Sequence, residues 1–70
     1  MEKLHEITKE RYKELINFFY GFTLDGEEPR FFPGEPTTHN GWFGWVVYFM
    51  EGGKYYIGFA IGSERPSAKK

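Results

Sequence analysis

The sequence predicts a small α+β domain, in which one N-terminal amphipathic helix packs on an antiparallel sheet of three or four strands. Two patterns support this prediction: a helical spacing of apolar residues before residue 21, and two apolar runs joined by a Gly-Gly pair after residue 41. A chain of 70 residues allows one domain, which has little material to cover both faces of a sheet. We place this domain at residues 1–62 and expect the polar residues 63–70 to form a disordered tail.

The helix is predicted over residues 8–20, TKERYKELINFFY. Its apolar residues repeat at the i, i+3, i+4 and i+7 spacing of one helix face. These residues are Tyr12, Leu15, Ile16 and Phe19. Thr8 is suited to the N-cap because its hydroxyl can accept a hydrogen bond from a free backbone N–H group. Gly21 follows the last turn, where glycine readily adopts a positive φ. Residues 2–7 are interpreted as an extended or frayed entry to the helix.

The segment between residues 21 and 41 contains turn signals and three prolines. Asp25-Gly26 separates two short apolar runs, residues 22–24 and 30–32, which are candidates for two short strands. Because proline cannot donate to a strand ladder, we expect any strand here to be short and to lie at an edge. The stretch Gly34–Gly41 has no periodicity and is interpreted as a surface loop.

Residues 42–62, WFGWVVYFMEGGKYYIGFAIG, predict a β-hairpin. Two runs of β-branched and aromatic residues flank Gly52-Gly53, which suits a two-residue turn. This turn places Glu51 opposite Lys54 and fixes the register of every pair beyond them. A three-residue bulged turn, which would shift the register by one residue, is the alternative.

Both faces of this hairpin are apolar, so one face is expected to lack cover from the helix. On one face, large residues lie opposite Gly58, Ala60 and Gly62, which leaves room for a helix to approach closely. We therefore expect the helix on the face with the small residues. The other face carries Trp42, Tyr48 and Tyr55 and becomes the candidate partner-binding surface, because Trp and Tyr are enriched at binding hot spots.

An acidic stretch is the second candidate for partner binding. Asp25, Glu27 and Glu28 can form a patch that meets a basic partner surface. They lack the alternating oxygen ligands and the final glutamate of an EF-hand calcium loop. The two histidines, His5 and His39, have no neighbours at the spacing of a known metal motif. We therefore predict neither a metal site nor a cofactor.

Composition excludes several classes of function. The chain has no cysteine, which rules out disulfides and thiolate metal sites. No phosphate-binding glycine motif and no catalytic set of serine, histidine and carboxylate is recognisable, so we predict that the protein is not an enzyme. No apolar run is long enough to cross a membrane. The first ten residues lack the apolar segment of a signal peptide, and we expect a cytoplasmic location.

These observations predict a small protein-binding protein that either associates with itself, as a homodimer, or binds and inhibits a larger protein. The aromatic sheet face and the acidic stretch are the expected contacts. The alternative is a protein that stacks single-stranded nucleic acid on exposed rings. Nine basic residues against ten acidic ones give a net charge of −1, so the chain lacks the basic signature of nucleic-acid binding. We expect a protein partner rather than nucleic acid or a membrane.

Overall fold

The computed structural model describes residues 1–21 and 29–69. Within them the chain forms β1 (Glu2–Ile7), α1 (Lys9–Tyr20), β2 (Phe31–His39), β3 (Trp42–Glu51) and β4 (Lys54–Ile61). The strands form one antiparallel sheet in the order β1-β4-β3-β2, so that β1 and β2 are its edges. This arrangement confirms the predicted α+β fold with one helix and a small antiparallel sheet.

The ends of α1 follow the predicted capping residues. The Thr8 hydroxyl accepts a hydrogen bond of 3.1 Å from the backbone N–H of Arg11. Gly21 has a φ of 73°, and its N–H donates to the carbonyl of Asn17 at 2.7 Å. Glycine adopts this left-handed conformation without the steric cost that a Cβ would add. These contacts set the length of the helix, and with it the part of the sheet that the helix can cover.

The hairpin of β3 and β4 has the predicted register. Gly52 and Gly53 have φ values of 58° and 77°, as a type I′ turn requires at both central positions. Pairing runs without interruption from Glu51 and Lys54 beside the turn to Gly44 and Ile61. The shifted register of a three-residue turn is therefore excluded.

Residues 2–7, which we expected to be an extended or frayed entry to the helix, are extended and form the edge strand β1. It pairs with β4, from Glu2 opposite Phe59 to Ile7 opposite Tyr55, with a register shift between Lys3 and His5. The pairing of this segment with the sheet was not predicted, because the alternation of apolar and polar residues in it is weak. Its residues are almost all exposed, and the sheet uses its backbone more than its side chains.

The prediction of a surface loop at Gly34–Gly41 was wrong, because most of these residues belong to the nine-residue strand β2. The strand keeps its pairing with β3 by shifting register between Pro33 and Pro36, and such a bulge removes the need for unbroken N–H donors. Its edge position is as predicted. Asn40 and Gly41, with φ values of 51° and 82°, form a second type I′ turn into β3.

The helix packs on the sheet face opposite to the one that we expected. Tyr12, Leu15 and Ile16 of α1 form the core with Phe32 and Tyr48. Partly buried hydrophobic residues of the same sheet face surround this core: Val46, Met50, Tyr55 and Ile57.

The space beside Gly58 serves neighbouring strands rather than the helix. A Cβ atom at this position would lie 2.8 Å from the Phe49 ring and 2.5 Å from the carbonyl oxygen of Glu2. The small residue of β4 therefore admits a ring of β3 and the backbone of β1. This local packing explains why small residues did not indicate the helix face.

The second sheet face is crossed by the C-terminal segment, residues 62–69. At its start, the N–H of Gly62 donates to Phe43 O at 3.1 Å; at its end, Lys69 N–H donates to Phe31 O at 2.8 Å. Between these points Pro66 lies beside Phe49 in a shared concavity. We predicted a disordered tail at residues 63–70; within this segment, the structure places Pro66 beside Phe49 and pairs Lys69 with Phe31.

Candidate protein-binding surfaces

The structure separates the residues that we predicted to bind a partner. Tyr48 is only 6% exposed, and its ring centroid lies 5.1 Å from that of Phe32. The ring of Tyr55 lies 4.8 Å from the ring of Tyr12. Both tyrosines therefore lie on the sheet face that α1 covers. Of the three predicted aromatic residues, Trp42 alone remains largely exposed. The predicted acidic residues Asp25, Glu27 and Glu28 lie outside the described residues.

Exposed apolar side chains collect at the end of the sheet that lies farthest from the Gly-Gly turn. We call this surface the sheet tip. Its members, with their exposed fractions, are Met1 (71%), Trp42 (61%), Phe43 (50%) and Ile61 (65%). They are four of the six large hydrophobic residues that are exposed in the described part of the chain. Apolar side chains are common on surfaces when single, whereas a cluster of them is typical of an interaction site.

Pairing across the sheet explains why both sides of the tip are apolar. Ile61 lies opposite Gly44, so no cross-strand side chain covers it. Trp42 is two residues before Gly44 and therefore points to the same side of the sheet as Ile61. Phe43, the next residue, points to the opposite side. The tip therefore presents large apolar side chains on both faces of the sheet.

The strands below the tip are fixed by contacts that span the sheet. His39 Nε2 of β2 lies 2.9 Å from Glu2 Oε2 of β1, although these are the two edge strands. The imidazole ring also lies 5.2 Å from the ring of Phe59. A Cβ at Gly44 would lie 2.6 Å from the Phe59 ring, so the glycine leaves the space that this ring occupies. These contacts join the two edge strands and β4 directly below the tip.

The edges of the sheet are poorly suited to accept a strand from another protein. β1 consists mainly of charged and polar residues and contains a register shift. β2 contains Pro33 and Pro36, and Lys69 already pairs with the outer edge of its first residue, Phe31. Charges, prolines and bulges on edge strands are features that discourage edge-to-edge pairing. Binding through side chains is therefore favoured over strand addition, and the sheet tip offers four of the six exposed large apolar side chains in the described part of the chain.

A cleft of about 590 Å³ lies between α1 and β2. Its lining combines three aromatic residues with charged ones: Arg11, Glu14, Leu15, Asn17, Phe18, Phe19, Glu35 and Tyr48. Gly34 makes close contact possible on the β2 side, since a Cβ there would lie 2.8 Å from the Tyr48 ring and 3.3 Å from the Phe19 ring. Burial, and secondly the nearby Glu35 carboxylate, raise the pKa of Tyr48 above its ordinary value.

Among the residues that the structure describes, no three or more His, Asp or Glu side chains are grouped so as to hold a metal ion. A hydrogen bond of 3.0 Å to Glu51 raises the pKa of Lys3, and both side chains are exposed. In the described part of the chain, α1 is too short and too polar to cross a membrane.

Comparison with protein-family models, with curated proteins and with solved structures finds no match to this chain. The geometry of the sheet tip and of the cleft therefore carries the functional interpretation.

Sequence reasoning missed most residues of these two surfaces. The Asn40-Gly41 pair is a strong hairpin signal, and reading it as a turn would have placed Trp42 and Phe43 beside a sheet end. Phe18 lies outside the apolar stripe of the helix, which is a sign of exposure. No sequence pattern indicated that Glu35 would face the helix.

Proposed function

We propose that this chain is a small protein-binding module without chemistry of its own, which inserts its sheet tip into an apolar cleft of a larger protein. Occupying such a cleft is also a simple means of inhibiting that protein. The clustering of Trp42, Phe43, Ile61 and Met1 at the tip supports this proposal. Aromatic side chains are typical anchors of protein interfaces.

The shape of the molecule favours a concave partner over a second copy of the chain. The molecule measures 36 × 23 × 17 Å, and a ten-residue strand such as β3 spans about 33 Å. The strands therefore follow the long axis, and the tip is a narrow end. Two narrow ends share little area, whereas a specific interface buries about 1,000 Å² or more. A cleft that surrounds the tip contacts both of its faces.

The first experiment identifies the partner by contact with the tip. A photo-crosslinking amino acid replaces Trp42 in one protein and Glu10, an exposed residue of α1 outside the cleft, in another. We expect a protein to be crosslinked from position 42 and not from position 10. The purified partner is then titrated with the chain by calorimetry.

Variants of the tip test whether its side chains supply the affinity. We expect Trp42→Ser to weaken binding by about 30-fold or more, because hot-spot residues contribute at least about 2 kcal/mol. Leu4→Ser, which changes an exposed apolar residue of β1 outside the tip and the cleft, is the matched control and is expected to bind as the wild type does. Equal affinity of wild type and Trp42→Ser would contradict the proposal.

Self-association and nucleic-acid binding are separable outcomes. Molar mass measured against concentration is expected to remain that of a monomer. A dimer that dissociates in Trp42→Ser would show that the tip binds a second copy instead. Oligonucleotide binding at physiological salt, lost in the same variant, would support the alternative function, since phosphate contacts are strongly salt-dependent.

A further inference from the structure

The exposed Phe18 side chain has no role in the core. It is 78% exposed and lies in the last turn of α1. Its ring stands perpendicular to the ring of Phe19, with centroids 4.9 Å apart and an interplanar angle of 89°. Both rings line the cleft between α1 and β2, together with Tyr48. Aromatic faces attract cations, and they do so more strongly where water is partly excluded.

Two carboxylates enter the same cleft from opposite sides. Glu14 comes from α1 and lies 3.7 Å from Arg11 Nη1. Glu35 comes from the bulged part of β2, and within the described part of the chain its carboxylate has no ion pair or hydrogen bond. The cleft therefore holds two carboxylates against one guanidinium, an excess of one negative charge. An anionic ligand is disfavoured there, and a cation is favoured.

The geometry points to a guanidinium as the preferred cation. A planar guanidinium stacks on aromatic rings and donates two parallel hydrogen bonds to one carboxylate. An ammonium is a strongly hydrated point charge and does not stack on aromatic rings as a planar guanidinium does. The cleft volume, about 590 Å³, lies within the range of ligand-binding sites and leaves room for the aliphatic part of an arginine side chain.

We propose that the cleft between α1 and β2 receives an arginine side chain of a partner protein, held by the Glu35 carboxylate and by the rings of Phe18 and Phe19. This inference rests on the proposed protein-binding function and adds a second, charged contact to it. The sheet tip supplies an apolar anchor, and the cleft supplies selection for a basic residue on the partner surface.

A pair of blocked tripeptides tests this contact directly. One is acetyl-Gly-Arg-Gly-amide, and the other contains citrulline, which has the shape of arginine without its charge. Each is titrated at constant ionic strength into the full chain while two-dimensional NMR spectra are recorded. We expect saturable shifts at Phe18, Glu35 and Tyr48 with the arginine peptide, and at least tenfold weaker binding of the citrulline peptide.

Three variants assign the charges. Glu35→Gln is expected to weaken arginine-peptide binding about tenfold, whereas Glu10→Gln, an exposed carboxylate of α1 outside the cleft, is expected to leave it unchanged. Arg11→Gln is expected to strengthen binding two- to fivefold, because it removes a like charge. The thermal midpoint of each variant shows that it is folded.

Several results would overturn the proposal: no saturable shift in the cleft, equal binding of the two peptides, or unchanged affinity in Glu35→Gln. A gain in affinity for Glu35→Gln would have the same meaning. Failure of the sheet tip is distinguishable, because Trp42→Ser should retain arginine-peptide binding. If Trp42→Ser binds its partner normally while the cleft binds arginine, the proposed tip contact is wrong and the cleft stands.

Discussion

The two faces of the sheet reach similar burial by different means. On one face, α1 contributes regular side-chain packing, and Ile16 is 1% exposed against the sheet. On the other face, the irregular C-terminal segment places Pro66 beside Phe49, which is 5% exposed. A short chain with one helix can thus bury two apolar faces. Both covers leave the sheet tip bare, so the exposed apolar residues collect there.

The two covers differ in how much apolar material they supply. The helix brings Tyr12, Leu15 and Ile16, and the Tyr12 hydroxyl donates to Pro29 O at 2.6 Å. The C-terminal segment brings Pro66 and the backbone of Lys69, and the second face fills much of its own space with rings. We therefore expect substitutions under the helix to cost more free energy of unfolding than changes to the C-terminal segment.

The largest effect is expected for Ile16→Ala, on the inner side of α1. Truncating a fully buried isoleucine costs about 2–5 kcal/mol, through lost burial and a residual cavity. Asn17→Ala, one residue further along on the exposed side, is the control and should change stability by less than about 0.5 kcal/mol. Denaturant titration measures both. Equal losses of stability at the two positions would contradict the observed orientation of α1, in which Ile16 faces the sheet and Asn17 faces outward.

The parts of the fold that the sequence predicted are those in which one local pattern decides the structure. The spacing of Tyr12, Leu15, Ile16 and Phe19 specifies a helix, and Thr8 and Gly21 specify its ends. Gly52-Gly53 specifies a turn whose geometry sets the register of β3 and β4. In both elements, a short-range constraint leaves few alternatives.

The parts that the sequence did not predict depend on distant partners. β1 gains its strand geometry from backbone pairing with β4, because its own alternation is weak. β2 tolerates Pro33 and Pro36 because a bulge separates them. The helix face was predicted wrongly because the gap at Gly58 is filled by Phe49 and by the backbone of Glu2. Of the sheet tip, Trp42 alone was predicted as a partner-binding residue, because exposure at the tip depends on where both covers end.

Glycine substitutions test how tightly the second face is packed. A Cβ at Gly58 would lie 2.8 Å from the Phe49 ring and 2.5 Å from the Glu2 carbonyl oxygen, so neighbouring atoms must move. Gly58→Ala is expected to cost about 1–3 kcal/mol, as overpacking typically does.

Gly52→Asn is the matched control on the same hairpin. A Cβ at Gly52 would meet nothing within 4 Å, and Asn-Gly is a favoured type I′ turn. Its stability is expected to remain within about 0.5 kcal/mol of the wild type. If thermal melts show Gly58→Ala to be as stable as this control, the second face is looser than its burial indicates.

Removing residues 66–70 tests the cover of the second face alone. The deletion exposes part of Phe49, whose complete burial is worth about 1.5–3 kcal/mol, and it restores the freedom of the segment. We expect a net loss of about 1–2 kcal/mol and stronger binding of an apolar fluorescent dye. Trp42→Ser, which leaves the C-terminal segment in place, should not increase dye binding. An unchanged thermal midpoint and unchanged dye binding would show that the segment does not cover this face.

The smallest effect concerns Tyr48, which lies in the core on the sheet face that α1 covers. Burial, followed by the negative charge of Glu35, raises the pKa of Tyr48 in the folded protein above its ordinary value of 10.0. The unfolded chain therefore loses this proton at a lower pH than the folded chain does. The stability linked to Tyr48 is fully present below about pH 10 and is lost as the pH rises through the folded pKa.

Comparing wild type with Tyr48→Phe isolates this contribution, because phenylalanine has no proton to lose. We expect the difference in thermal midpoint between the two proteins to be constant from pH 7 to about pH 9 and to move in favour of Tyr48→Phe above about pH 10. Glu35→Gln should weaken the same pH dependence without abolishing it, since burial is the larger cause of the shift. Parallel decline of wild type and Tyr48→Phe would mean that the Tyr48 hydroxyl reaches solvent freely. The helix would then cover its face no better than the C-terminal segment covers the other.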